Sequence, residues 1–142
     1  MLKRASHILR AARALAFAGD RVGAEVLVEP ILGALEVCAE DQTRADTSHR
    51  LASYYRDIGE LERAAHFGRA AVDAERRVGR RALLGNHLMF LATLLRDMGD
   101  LGGAIVCAEE GVLCYADTHG RDHSETLYML SVLANMRASL SA

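Results

Sequence analysis

Leu84, Leu88, Leu91 and Leu95 recur at steps of 4, 3 and 4, the spacing that keeps one stripe of an α-helix apolar. Leu61, Ala64, Ala65 and Val72 fall on one helix face in the same way, and Leu127, Leu130, Leu133 and Met136 repeat at steps of 3. No stretch shows sustained alternation or a β-branched run, so no strand is expected. Glycine punctuates the apolar rows. Gly19, Gly59 and Gly99 each close a row, and each is followed by an acid, Asp20, Glu60 or Asp100. A glycine just past a helix end accepts the left-handed backbone that closes it, and an acid beside it favours the positive start of the next helix. The pattern predicts seven helices, at about 3–18, 20–37, 42–58, 60–78, 82–98, 100–118 and 123–140. Breaks this short make consecutive helices antiparallel neighbours. Pro30 falls inside the second helix and is expected to kink it or start a new turn.

The pattern repeats. The segment from Leu51 to Leu61 matches that from Leu91 to Leu101 at an offset of 40, with identity or conservative exchange at most places. Ala12, Leu15, Gly19, Asp20 and Ala24 stand one offset earlier, in column with Ala52, Tyr55, Gly59, Glu60 and Ala64 and with Ala92, Leu95, Gly99, Asp100 and Ala104. Leu133-Ala134 repeats Leu91-Ala92 at an offset of 42. Residues 1–142 therefore read as one all-α domain, with repeats at about 3–40, 42–80 and 82–120 and a terminal helix at 123–140.

This column resembles the tetratricopeptide repeat (TPR): leucine, a small residue, an aromatic, a turn glycine, then small residues in the second helix. Leu51-Ala52, Tyr55, Gly59, Ala64 and Ala71 fill those slots in the second repeat, and Leu91-Ala92, Leu95, Gly99 and Ala104 in the third. The long period and the turn Gly120-Arg121-Asp122-His123-Ser124-Glu125-Thr126-Leu127 are similar to the kinesin-light-chain-like subtype. Within that turn, Asp122 and Glu125 have the spacing of a capping box. The chain departs from the motif at Ser48, where a bulky residue is usual, and at Gly68, where an aromatic is usual. The resemblance implies a right-handed superhelical solenoid of helix hairpins whose first helices line a concave face.

Composition narrows the function. With 142 residues, half of them apolar, the chain can bury a core without staples. A net charge of −2 gives no ground for general nucleic-acid binding, and no apolar run reaches the ~18–20 residues of a membrane helix. Cys38, Cys107 and Cys114 are odd in number, which suits a reducing compartment and a cytoplasmic location; Cys107 and Cys114 read as buried small hydrophobes. Residues 1–19 hold Lys3, Arg4, Arg10 and Arg13 and no acid, a transit-peptide-like composition that the repeat pattern accounts for as an ordinary helix. No nucleophile elbow, P-loop, dinucleotide fingerprint or zincin motif is present, so neither catalysis nor a cofactor is expected. His119 and His123 are four apart, a zinc-binding spacing on one helix, but Gly120 puts them on a turn, and no metal site is expected. His66 and His87 read as surface or packing residues.

What remains is a binding face. On the orientation that the resemblance supplies, the groove carries Arg13 and Phe17 from the first repeat, then His49, Ser53 and Arg56 from the second. Asn86, Met89, Thr93 and Arg96 follow from the third, and Tyr128 and Asn135 from the last helix. Guanidinium forks suit carboxylates, and Phe17, Met89 and Tyr128 offer apolar anchors. The expectation is a scaffold for a peptide or protein segment of acidic character; Arg-Asp pairing between repeats would account for the same arginines without a ligand. The alternatives are self-assembly into homo-oligomers through apolar terminal helices, with Met129 and Val132 exposed, and the sensor part of a larger regulator.

Overall fold

A computed structural model describes residues 1–142 and is helical throughout, with no strand. A 3₁₀ turn at Leu2–Arg4 leads into α1 (Ala5–Phe17), α2 (Arg21–Glu36), α3 (Asp41–Asp57), α4 (Leu61–Val78), α5 (Arg81–Asp97), α6 (Leu101–His119) and α7 (Ser124–Ser141). These bounds lie within two residues of the expected ones at every end. The chain divides into two compact units, Met1–Ala74 and Glu75–Ala142, and α4 passes from one to the other.

In unit 1, α1 packs against α2 and α3. The α1 core row is Ala5, Leu9, Ala12 and Ala16, and the α2 row is Ala24, Val28, Ile31 and Leu35, both at steps of 4, 3 and 4. The alanines let the backbones approach closely, as the small-residue column requires. From α3, Leu51, Ala52, Tyr54 and Tyr55 are fully buried. Phe67 stacks on Tyr55 with centroids 5.6 Å apart, and the Arg63 guanidinium sits 4.2 Å from the same ring centre. Pro30 does not break α2. It and Val26 lie on the exposed side, so the Val26 carbonyl that Pro30 cannot pair with faces solvent.

In unit 2, α5 packs on α6 and α6 on α7. Leu84, Leu88, Leu91 and Leu95 form the buried row of α5, as their spacing predicts. Gly85 and Gly111 are positions of close approach. A Cβ on Gly85 would stand 2.8 Å from the Tyr115 ring, and one on Gly111 3.0 Å from the Met89 sulfur. One carboxylate is buried here: Glu75 is 0% exposed, held by the Arg80 fork at 2.8 and 2.9 Å, with His87 Nε2 at 3.3 Å.

The turn glycines behave as the sequence implies. Gly19, Gly59 and Gly99 have φ of 92°, 84° and 88°. At each turn the glycine N–H donates to the carbonyl three residues back, and the following acid's N–H donates to the carbonyl five back at 2.8 Å, the Schellman arrangement. Asp20 and Asp100 then cap the next helix, their Oδ1 atoms accepting from Gly23 and Gly103 N–H.

Two expectations are corrected. The cap of α7 is His123, whose Nδ1 accepts from the Glu125 N–H, and not Asp122. The buried face of α7 is Thr126, Met129, Leu133 and Met136, while Leu127 and Leu130 are 52% and 40% exposed. Steps of 3 fall about 60° short of a full turn each, so the row 127-130-133-136 drifts around the helix, whereas 126-129-133-136 stays on one side. Met129 is consequently buried and Val132 half-buried.

Candidate functional site: two cavities lined by first helices

In unit 1, α1 and α3 flank an open cavity of about 280 Å³. Ser6, Leu9, Arg10 and Arg13 reach it from α1, and His49, Arg50 and Ser53 from α3, at helical spacings of 3 and 4. Three of the expected groove residues, Arg13, His49 and Ser53, therefore meet in one place. No carboxylate lines this cavity. Arg13 is oriented from behind, its Nε 2.8 Å from Asp57 Oδ2 and its guanidinium 6.0 Å from the Tyr54 ring centre. Burial raises the Tyr54 phenol above its ordinary range, so it stays neutral beside the arginine.

Arg56 and Phe17 lie outside this cavity. Arg56 donates to its own neighbour, Asp57 Oδ1, from Nη2 and Nε at 3.2 and 3.3 Å. Phe17 is 66% exposed at the end of α1. Arg10 and Arg50 are in no observed ion pair, and they line the cavity although the expected groove did not include them. Their signal was present, since the two stand in one column at the repeat offset of 40.

In unit 2, a second cavity of about 310 Å³ is lined by Asn86, Tyr115, Ser124, Glu125, Tyr128 and Met129. It unites the expected Asn86 and Tyr128. Met89 is 6% exposed and packs beside Gly111, so it serves the α5–α6 contact and not the surface. Thr93 is half-buried and its hydroxyl donates to the Phe90 carbonyl at 2.8 Å. Arg96 is exposed, with Nε 3.6 Å from its own neighbour Asp97. Asn135 is exposed on α7 and lines neither cavity.

A third cavity of about 260 Å³ in unit 1 lies among Leu32, Leu35, Ser48, Phe67 and Ala70. Ser48, which lines it, is buried and stands in column with Leu88. No group of three or more metal-ligating side chains forms; His119 and His123 stack with ring centres 4.9 Å apart. The cysteines are free, and burial raises the Cys114 thiol above its ordinary range. No helix is long and apolar enough to cross a membrane.

No family model matches the chain, and no curated protein matches it. Solved structures do. The chain is similar to nearly identical TPR-like repeats of a Podosopora anserina protein described as a kinesin light chain, with a TM-score of 0.74 and 20% identity over 96% of this chain. A glutamine-to-methionine variant of that protein gives 0.72 and 21% over 94%. This chain spans 66% of the length of either. The shared fold is that of TPR-like helical repeats.

Proposed function

We propose that this chain is a non-catalytic interaction scaffold, cytoplasmic, that binds a protein or peptide segment of acidic character on the first-helix faces of its repeats. The α1–α3 cavity of unit 1 carries this reading: Arg10, Arg13 and Arg50 converge on it and no acid lines it. Packing needs neither Arg10 nor Arg50, since both are exposed. An acidic side chain or a chain-terminal carboxylate entering the cavity would receive bidentate, charge-assisted hydrogen bonds. Affinity capture from source lysate tests this, with wild type beside Arg10→Glu/Arg50→Glu at matched helicity. Loss of a wild-type partner in the double variant supports the site; retention of every partner moves binding elsewhere.

A second reading is favoured by α7. Leu127, Tyr128, Leu130 and Leu140 are exposed there, more apolar surface than any other helix of unit 2 offers. It predicts self-association that Leu127→Ser/Leu130→Ser abolishes, measured by sedimentation velocity at high protein concentration.

A further inference from the structure

The charge in the α1–α3 cavity exceeds what a carboxylate satisfies. Arg13 is matched by Asp57, at 2.8 Å. No acid lines this cavity beside Arg10 and Arg50, so two further positive charges face it from two different helices, while Asp46 stands beside Arg50 in the adjoining cavity. A single carboxylate brings one charge and one planar edge, enough for one guanidinium fork. A phosphomonoester brings roughly −1.5 to −2 at pH 7 and three acceptor oxygens arranged in three dimensions. Those oxygens can accept from forks approaching from both helices at once, with the Ser6 and Ser53 hydroxyls as further donors. The cavity's volume of about 280 Å³ admits a phosphorylated side chain.

The surrounding sequence has the same bias. Lys3, Arg4, Arg10 and Arg13 lie in the first nineteen residues with no acid among them. The third repeat, by contrast, places Phe90 in the column of Arg10 and Arg50, and Thr93 in that of Arg13. The guanidinium cluster is thus peculiar to unit 1 and is not a demand of the repeat.

We infer that the α1–α3 cavity is a phosphate-reading site, and that its ligand is a phosphoserine- or phosphothreonine-bearing segment of a protein partner. The inference rests on the peptide-binding reading above and sharpens it. Binding would be switched on by a kinase acting on the partner, and Arg10 and Arg50 would be the residues that distinguish the modified from the unmodified state.

The test uses the whole 142-residue chain. Three fluorescent peptide pools with identical random flanks carry a central phosphoserine, glutamate or serine, and each is titrated by anisotropy. Free O-phosphoserine is titrated in parallel into ¹⁵N-labelled protein. The expected result is at least about tenfold tighter binding of the phosphoserine pool than of the glutamate pool, given the larger charge and the third acceptor oxygen of the phosphate. Amide shifts should concentrate at residues 6–13 and 49–53, and Arg10→Gln/Arg50→Gln should remove both effects while leaving the helical spectrum unchanged. Equal affinity for the phosphoserine and glutamate pools overturns the phosphate inference and leaves the acidic-peptide reading standing. Failure of all three pools overturns both. Vesicles containing a phosphoinositide form the remaining arm: binding to them without binding to phosphoserine peptides assigns the arginines to a membrane surface and overturns the inference.

Discussion

The α1–α3 cavity of unit 1 and the α5–α7 cavity of unit 2 are close in size, about 280 and 310 Å³, and opposite in chemistry. One holds three arginines and no acid; the other holds Glu125, two tyrosines and no cation. Meanwhile the packed column does not change: Ala12, Ala52 and Ala92 are all fully buried. Steric demand fixes the column where helices touch, because any larger side chain would wedge them apart. Packing does not fix the column that faces the cavity, so the two units carry different side chains there.

The interiors differ as well. Leu35 of unit 1 stands in column with Glu75 of unit 2, the buried carboxylate clamped by Arg80. Arg80→Ala would leave that charge buried with only His87 beside it, and is expected to cost about 3–5 kcal/mol in urea unfolding. Glu75→Leu with Arg80→Met makes the site resemble unit 1 and should recover most of the loss. A small effect of Arg80→Ala would show that the clamp is not a structural requirement of unit 2.

Next in size is Gly85→Ala, whose Cβ meets the Tyr115 ring and the Cys114 Cβ; about 1–3 kcal/mol is expected. The equivalent position in unit 1 is Ala45, which already carries a methyl group, so Ala45→Gly relieves no clash and should cost about 1 kcal/mol through helix propensity. The alkaline limb comes third. Burial pushes the Tyr55 phenol from 10.0 up to about 12. Between those values the unfolded chain loses the proton and the folded chain keeps it, so stability is full below pH 10 and falls as pH rises towards 12. Tyr55→Phe should flatten that fall by about 1–2 kcal/mol, read from stability curves at pH 9 and 11.5. The smallest effect is on folding stability at the surface. Leu127→Ser/Leu130→Ser and Arg10→Glu/Arg50→Glu should each stay within about 0.5 kcal/mol of wild type by thermal melting.

The repeats were legible because periodic glycines and leucines report backbone geometry directly. Gly19, Gly59 and Gly99 announce their turns, and the 4-3-4 row of α5 announces its buried face. The row in α7 misled because four apolar residues at steps of 3 look like a stripe without being one. The site was legible only in part. Arg13, His49 and Ser53 were placed by their position relative to the core face, and so was Met89, which Gly111 admits into the interior. Whether a residue next to the core stripe points outward depends on the size of its neighbour across the helix interface, and periodicity does not carry that. Arg56 and Arg96 were attractive because they recur, yet both recur together with the aspartate that engages them.

On the proposed function, the α1–α3 arginines, and not the recurring Arg-Asp pairs, hold the partner. The most direct test is anisotropy of a fluorescent acidic-peptide pool against wild type, Arg10→Glu/Arg50→Glu and Arg56→Glu/Arg96→Glu, at matched helicity and ionic strength. At least a tenfold loss of affinity is expected for the first double variant, the scale of a lost charge-assisted pair, and a change within about twofold for the second. Loss confined to the second, or equal loss in both, would contradict it.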